Sequence, residues 1–306
     1  MGSNTLSALQ AQRYCGRFAP SPTGPLHFGS LVAAVGSFLQ ARSRGGEWLV
    51  RMEDLDPARE VPRAADSILG TLQAYGMQWD RLLLYQSARG ATYRTALERL
   101  QALGMVYACA CSRAEIADSA LGAGAARVYP GTCRNGLPAG RTSWALRVQT
   151  TGWVIEFEDA LQGRITQDLA SEVGDYVVRR ADGLHAYQLA VVVDDAEQGV
   201  TEVVRGADLL GSTPRQIQLQ RLLGLSTPSY MHLPVALDEH GNKLSKQTLA
   251  APVERFAQAE TLVRVLTFLN QNPPAGLEKE SLHNVWDWAI AHWALDNLRG
   301  ITAKRF

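Results

Sequence analysis

Residues 17–30 (RFAPSPTGPLHFGS) join two segments of different hydrophobic period, and this junction limits the folds open to the chain. Upstream, residues 14–19 form a short apolar run of the kind a buried strand uses. Downstream, Leu31, Val32, Val35, Phe38 and Leu39 recur at helical spacing until Gly45 and Gly46 end the pattern. The motif is therefore a strand-to-helix turn. Its prolines and Gly24 stiffen the turn, Gly29 has no Cβ to hinder close backbone approach, and His27 stands where the unpaired N–H groups of the new helix point outward. Such a turn is a place to hold a phosphate. Taken alone, His27 reads as a capping or packing residue.

Strand and helix patterns continue to alternate. Residues 48–52 predict a second strand running into Glu53, Asp54 and Asp56; helices are expected over 62–75 and 92–103, and a strand over 105–110. This alternation predicts an α/β fold with a Rossmann-type, doubly wound parallel sheet, in which acidic residues at a strand's C-terminal end face the ligand crevice. Asp56 before Pro57 fits a helix N-cap instead. Over 109–186 the texture changes to glycine-rich segments, three cysteines and β-like runs at 144–148 and 154–157, which predicts an inserted α+β module. Strands are expected again over 187–193, ending in Asp194 and Asp195, and over 201–204. A helix over 212–223 with Pro214 near its start and a strand over 233–237 follow. Beyond 251 the pattern is helical, with Val253, Phe256, Leu262, Val265 and Leu266 on one apolar face and Trp286, Trp288 and Trp293 on the last helix. The expected division is a flexible N-terminus (1–12), a first sheet half (13–108), the inserted module (109–186), a second half (187–250) and a short helical C-terminal part (251–306).

Composition removes several function classes. Lys plus Arg and Asp plus Glu number 30 each, so nucleic acid has no whole-surface electrostatic footprint here and any RNA contact needs a local patch. No apolar run reaches membrane-spanning length and residues 1–12 lack the regions of a secretory signal, so a cytoplasmic chain without membrane contact is expected; a monomer is also expected. Four cysteines, three of them within 109–133, argue against a disulfide framework. Cys109, Cys111 and Cys133 offer three thiolates to a zinc ion that takes four donors; the alternative is a set of packed thiols. Cys15, alone on the first strand, reads as a core thiol.

A second motif changes the weight of the first. Residues 243–247 (KLSKQ) follow the predicted strand over 233–237 and a turn over 238–242. Together with 17–30, 51–57 (RMEDLDP), 187–195 (YQLAVVVDD), Arg205 and 212–214 (STP), they resemble the glutamyl subgroup of class I aminoacyl-tRNA synthetases. Residues 27–30 and 243–247 stand in place of that class's His-Ile-Gly-His and Lys-Met-Ser-Lys-Ser signatures. The resemblance spans roughly residues 17–247. It implies ATP, with Mg2+, as substrate, bound by His27, Gly29, Lys243 and Lys246, with His27 and Lys246 catalytic and the nucleotide contact on the second lysine. The carboxylate nucleophile is already ionised, so the task is alignment and stabilisation of charge on the phosphate rather than general-base catalysis.

The same resemblance implies a glutamate pocket of Arg17, Phe18, Ala19, Pro20, Ser21, Glu53, Tyr187 and Arg205. Two carboxylates and an ammonium ask for two arginines and an acid, and Arg17, Arg205 and Glu53 answer that count. It also assigns the vacant zinc position to Tyr129, so that one Zn2+ per chain held by Cys109, Cys111, Tyr129 and Cys133 tethers the ends of the 112–128 loop. Two positions depart from the pattern: Val191 stands where full-length glutamyl synthetases often have Asn, and Ser30 replaces the signature's final His. Those synthetases commonly carry a helix-bundle anticodon domain after the lysine loop, and the residues remaining here are too few for one. In this respect the chain is similar to the glutamyl-Q tRNA(Asp) synthetases, which implies activation of L-glutamate without RNA and its transfer to the queuosine base of tRNA(Asp). Three other readings stand beside it. A glutamyl-tRNA synthetase core would charge an acceptor end. A small-molecule nucleotidylyltransferase would leave Arg17, Glu53, Tyr187 and Arg205 unexplained together, and an RNA-binding paralogue without catalysis would not need His27, Gly29 and Lys246.

Overall fold

The computed structural model describes residues 13–112, 114–116, 128–244, 251–253 and 255–306. The expected flexible N-terminus, most of the 112–128 loop and Lys246 lie outside the described residues. The chain begins with β1 (Cys15–Phe18), α1 (Phe28–Ser43), β2 (Glu47–Met52), α2 (Ala64–Ala74), β3 (Leu84–Tyr85) and α3 (Gly90–Ala102). It continues through β4 (Val106–Cys109), β5 (Ala145–Val148), β6 (Val154–Asp159), β7 (Gly163–Asp168), the single-turn α4 (Leu169–Glu172) and β8 (Tyr176–Arg179). Then come α5 (Tyr187–Glu197), β9 (Glu202–Gly206), α6 (Thr213–Leu223), β10 (Ser229–Leu233), β11 (Val235–Leu237), α7 (Gln258–Phe268), α8 (Leu282–Ala291) and β12 (Ala303–Arg305).

The architecture is α/β with Rossmann-type parallel pairing. Strands β1, β2 and β3 lie side by side in parallel, with Cys15 opposite Glu47 and Phe18 opposite Val50. β9 and β10 form a second parallel pair, extended by β6 and then antiparallel β7. The two groups meet at the start of β1, where the Thr201 N–H donates to the Cys15 carbonyl and the Cys15 N–H to the Thr201 hydroxyl, each at 2.9 Å. Strands β1, β2, β3, β9 and β10 therefore present their C-terminal ends to one side, the edge where such sheets bind ligands.

Helix α1 holds the sheet from one face because it is apolar nearly all round: Leu31, Val32, Ala34, Val35, Leu39 and Ala41 are buried. Each large aliphatic side chain contributes about 1.5–3 kcal/mol by leaving water. At Gly36 a Cβ would come within 2.4 Å of Leu233 Cδ1, so any larger residue there would displace the Leu233 side chain where α1 approaches β10. A second apolar cluster joins α3, α5 and α6 to β5 and β8 through Tyr93, Leu97, Val148, Val178, Leu189 and Leu219.

Several expected elements differ. Residues 187–193 are helical, as the first part of α5, because the apolar run Leu189–Val193 is buried on every side. A short continuous apolar run has the same appearance in a buried strand and a buried helix. The strand expected over 233–237 is two strands, since Pro234 has no N–H for the ladder; β10 pairs with β9, whereas β11 pairs with β12. β4 pairs antiparallel with β5, and β5 with β8, outside the parallel sheet, while the β6–β7 hairpin joins that sheet at β10. Val253 and Phe256 precede α7: the Val253 N–H bonds the Leu26 carbonyl, and Phe256 is exposed. Trp293 follows α8, with its Nε1 donating to Gln40.

Candidate active site

The signature loop is fixed by backbone bonds to the exit of β2. Glu53 N–H donates to the Pro20 carbonyl at 2.9 Å and Val61 N–H to the Pro22 carbonyl at 3.0 Å. Arg17, Glu53 and Arg205 thus emerge at the C-terminal ends of β1, β2 and β9, on the same side of the sheet. Phe18 turns its ring inward, stacked on Trp48 with centroids 6.3 Å apart, so only its backbone can serve a ligand there. Ala19 and Pro20 are half-buried, and Ser21 is exposed.

Around this edge runs a buried network of charge. Arg17 is 3% exposed; its Nε donates to Asp195 at 3.2 Å and its Nη1 to the Val204 carbonyl at 3.4 Å. Among the described residues, Arg17 Nη2 has no hydrogen-bond partner. Arg51, fully buried, reaches Asp195 at 2.8 Å, Glu53 at 3.4 Å and Gln198 Oε1 at 2.7 Å. Asp195 therefore lies between two guanidiniums. Burial opposes its ionisation, but Arg17 and Arg51 outweigh that and hold its pKa below the usual carboxylate range. Glu53 has the opposite balance: burial dominates the pull of Arg51 and Arg17 and pushes its carboxyl up to about 7.

Tyr187 begins α5, and its hydroxyl accepts from Arg205 Nη1 at 3.3 Å. Burial raises its pKa; Arg205 and Arg17 oppose that rise and Glu53 adds to it. Arg205 is held on its other edges by His232 Nε2 at 3.0 Å and Thr213 Oγ1 at 2.8 Å. Val191 lies away from these polar groups, in the apolar cluster of α3, α5 and α6.

At the other end of the loop His27 is the N-cap of α1. Its Nδ1 accepts the Ser30 N–H at 3.3 Å, while its own N–H donates to the Ser30 hydroxyl at 2.8 Å, a reciprocal capping box. One N–H expected to face a phosphate is thus taken by the His27 ring, and Ser30 has a definite task where the class signature has His. A Cβ on Gly29 would stand 3.3 Å from the His27 ring and 3.4 Å from the Leu244 carbonyl. Glycine here lets the lysine loop close on the helix start. Lys243 forms an ion pair with Asp208, and Leu244 N–H bonds the Ala236 carbonyl at 2.8 Å.

The cysteines come together at the end of β4. The three sulfurs lie within 4.8 Å of one another, and Cys111 and Cys133 are 3.5 Å apart. A tetrahedral zinc with Zn–S near 2.3 Å has sulfur edges of about 3.8 Å, so the set fits a zinc ion. The Tyr129 hydroxyl lies beside the same cluster, 3.2 Å from Cys109 Sγ and 3.7 Å from Cys111 Sγ. The support is built in: the Arg147 guanidinium covers the Tyr129 ring at 4.1 Å, and Arg134, next to Cys133, forks onto buried Asp175 at 2.6 and 2.8 Å.

Residues 15–269 match the family described as tRNA synthetases class I (E and Q), catalytic domain. The glutamyl-Q tRNA(Asp) synthetase of Aromatoleum aromaticum is 61% identical over 285 residues, covering 93% of this chain and 90% of that one. That of Dechloromonas aromatica is 60% identical over 285 residues, covering 92% and 95%. The chain belongs to the glutamyl-Q tRNA(Asp) synthetase family. It is a ligase of the class I synthetase type, and its fold matches the crystal structure of glutamate-tRNA synthetase from Elizabethkingia anophelis with a TM-score of 0.80 at 24% identity, over 96% of this chain and 68% of that one. Among the described residues no helix is long and apolar enough to cross a membrane.

Within this family member, sequence reasoning missed the residues that hold the pocket rather than line it. Arg51 and Asp195 sit in motifs already quoted, but their partners come from separate elements. Asp194 is fully buried and accepts from Gln86, Arg89 and Tyr93 at 2.7–2.8 Å. His232 lies in an apolar strand with no local polar pattern. A buried acid next to another acid was the one available signal.

Proposed function

We propose that the chain activates L-glutamate with ATP and Mg2+ to glutamyl-adenylate without RNA, then transfers glutamate to queuosine in the anticodon loop of tRNA(Asp). The observation that carries the first half is the placing of Arg17, Glu53 and Arg205 at the C-terminal ends of β1, β2 and β9, with Tyr187 hydrogen-bonded to Arg205. In this reading Arg17 and Arg205 each hold a carboxylate, Glu53 takes the ammonium, and Tyr187 orients Arg205. Backbone groups of Phe18, Ala19, Pro20 and the exposed Ser21 border the amino acid. His27 and Lys246, with Gly29 and Lys243 beside them, supply the nucleotide contacts and the positive potential on which charge develops during adenylation. The second half rests on the names of close relatives and on chemistry: single-stranded loops are where a protein can receive a splayed base.

Zinc would be held by Cys109, Cys111, Tyr129 and Cys133 and would fix the loop ends of the module beside β4. The same reading includes a cytoplasmic protein acting as a monomer. Pyrophosphate exchange into ATP with glutamate, aspartate or glutamine and no RNA tests the first half; equal exchange with the three removes it. Charging of tRNA(Asp) with and without queuosine, beside tRNA(Glu), tests the second. Efficient charging of the tRNA(Glu) acceptor end would replace it with an ordinary glutamyl-tRNA synthetase activity.

A further inference from the structure

His232 is fully buried one residue before the end of β10, where an imidazole has no solvent to satisfy either nitrogen. Its Nδ1 lies 2.6 Å from Asp159 Oδ2. The other oxygen of Asp159 accepts three backbone N–H groups, from Leu161 at 3.1 Å, Gln162 at 2.9 Å and His232 itself at 3.3 Å. These bonds favour the ionised carboxylate, and the pKa of Asp159 is lowered although burial opposes it. An ionised carboxylate accepts only, so the proton on the 2.6 Å contact belongs to His232 Nδ1.

The far nitrogen gives the same answer independently. His232 Nε2 faces Arg205 Nε at 3.0 Å and the Thr213 hydroxyl at 3.3 Å. Arginine can only donate, so Nε2 must accept. The ring is therefore neutral with its proton on Nδ1, and burial together with Arg205 keeps its pKa below the ordinary value against the pull of Asp159. Thr213 Oγ1 accepts from Arg205 Nη2 at 2.8 Å, which leaves its own proton for His232 Nε2. Two edges of the guanidinium are thereby occupied. The third, Nη1, gives one N–H to Tyr187 and has a second N–H without a partner among the described residues.

We propose that Asp159 and His232 are positioning residues that fix the tautomer facing Arg205, and so hold its Nη1 edge toward the carboxylate of the amino-acid substrate. This rests on the reading of Arg205 as a substrate-binding arginine. The wrong tautomer would set the Nε2 proton against Arg205 Nε–H and turn the guanidinium out of place, with no residue of the pocket itself changed.

Asp159→Asn is the sharpest perturbation, because an amide can donate to Nδ1 and drive the proton to Nε2. In pyrophosphate exchange it should raise the KM for glutamate by about tenfold or more, the loss of one oriented charge-assisted hydrogen bond, while the KM for ATP stays unchanged. His232→Gln keeps a carbonyl for Arg205 Nε and should lose less than His232→Leu. In the His232→Gln background, Asp159→Asn should then cost nothing further, since its route through the ring is gone. Equal losses in both backgrounds would mean that Asp159 acts on the fold alone. Nitrogen-15 spectra of the unmodified protein, labelled at its six histidines, read the tautomer directly without any variant; a protonated Nε2 on His232 overturns the proposal. Arg205→Ala separates the two levels. An unchanged KM for glutamate there overturns the substrate reading of Arg205, whereas a raised KM with a silent Asp159→Asn overturns only the relay.

Discussion

Glu53→Gln should stabilise the free protein at pH 8 and weaken its hold on glutamate. The Glu53 carboxyl goes from an ordinary value of 4.5 to about 7 on folding because burial outweighs Arg51 and Arg17. Between those values the folded state binds more protons than the unfolded chain, so stability falls as pH rises from 4.5 to 7 and is lowest above 7. A shift from 4.5 to about 7 sets a ceiling of about 3 kcal/mol on that loss. Glutamine keeps an oxygen for Arg51 and removes the titration, so the variant should gain stability over the wild type at pH 8, by no more than that ceiling, and little or nothing at pH 4.5.

Binding runs the other way. An ammonium needs the ionised form, and with a pKa near 7 only about a tenth of the sites are ionised at pH 6 against about nine-tenths at pH 8. Glutamate affinity should therefore be about tenfold weaker at pH 6, and its binding at pH 7 should release about half a proton per ligand. Calorimetry in buffers of different ionisation enthalpy counts that release; thermal denaturation at both pH values measures the stability. A Glu53→Gln variant with the wild-type slope of stability against pH, or with unchanged glutamate affinity at pH 8, refutes the reasoning.

Three further outcomes follow from the geometry. Asp195→Asn leaves Arg17 and Arg51 facing a neutral amide in a buried site and should cost about 3–5 kcal/mol by chemical denaturation; since its folded pKa is depressed, the wild-type contribution is complete above about pH 4 and lost as pH falls through the lower folded value. Gly29→Ala asks the His27 ring and the Leu244 carbonyl to give by a few tenths of an ångström and should raise the KM for ATP several-fold with the KM for glutamate unchanged, as pyrophosphate exchange will show. Protein purified without chelator should carry about one zinc per chain, lost in Cys111→Ser or Cys133→Ser with the module beside β4 becoming protease-sensitive; a metal-free, fully folded wild type would leave the cysteines as packed thiols.

The parts of the molecule legible in the sequence are those where local pattern and tertiary environment agree. The strand–turn–helix at residues 15–43 was readable because the large apolar residues of its helix, Leu31, Val32, Val35, Phe38 and Leu39, recur at helical spacing and its turn is marked by proline and glycine. The cysteines were readable as a set because three thiols within 25 residues have few other uses, and the fourth donor, Tyr129, was reached only through family resemblance. What stayed hidden was decided by partners far away in the chain. β4 looked like another parallel strand, and only its pairing with β5, across the whole 112–128 loop, says otherwise. His232 is one polar residue in an apolar run, and its significance depends on Asp159, 73 residues earlier.

The stretch 187–193, expected as a strand and found as the start of α5, is also the one whose state matters most to the proposed pocket. As a strand it would place Tyr187 and Asp195 roughly 26 Å apart, too far for both to serve one small ligand. As helix α5 the same eight-residue step is roughly 12 Å along the axis. One rigid element can then reach Arg205 with its first residue and Arg17 and Arg51 with its last turn. The apolar residues between, Leu189–Val193, pack against α3 and α6 and fix the height and rotation of both polar ends at once. Val191, in the middle of that run, therefore bears on the proposed amino-acid site through the setting of α5, because its side chain is spent on the apolar cluster and the arginine-contacting residues Tyr187 and Asp195 each lie about one turn away.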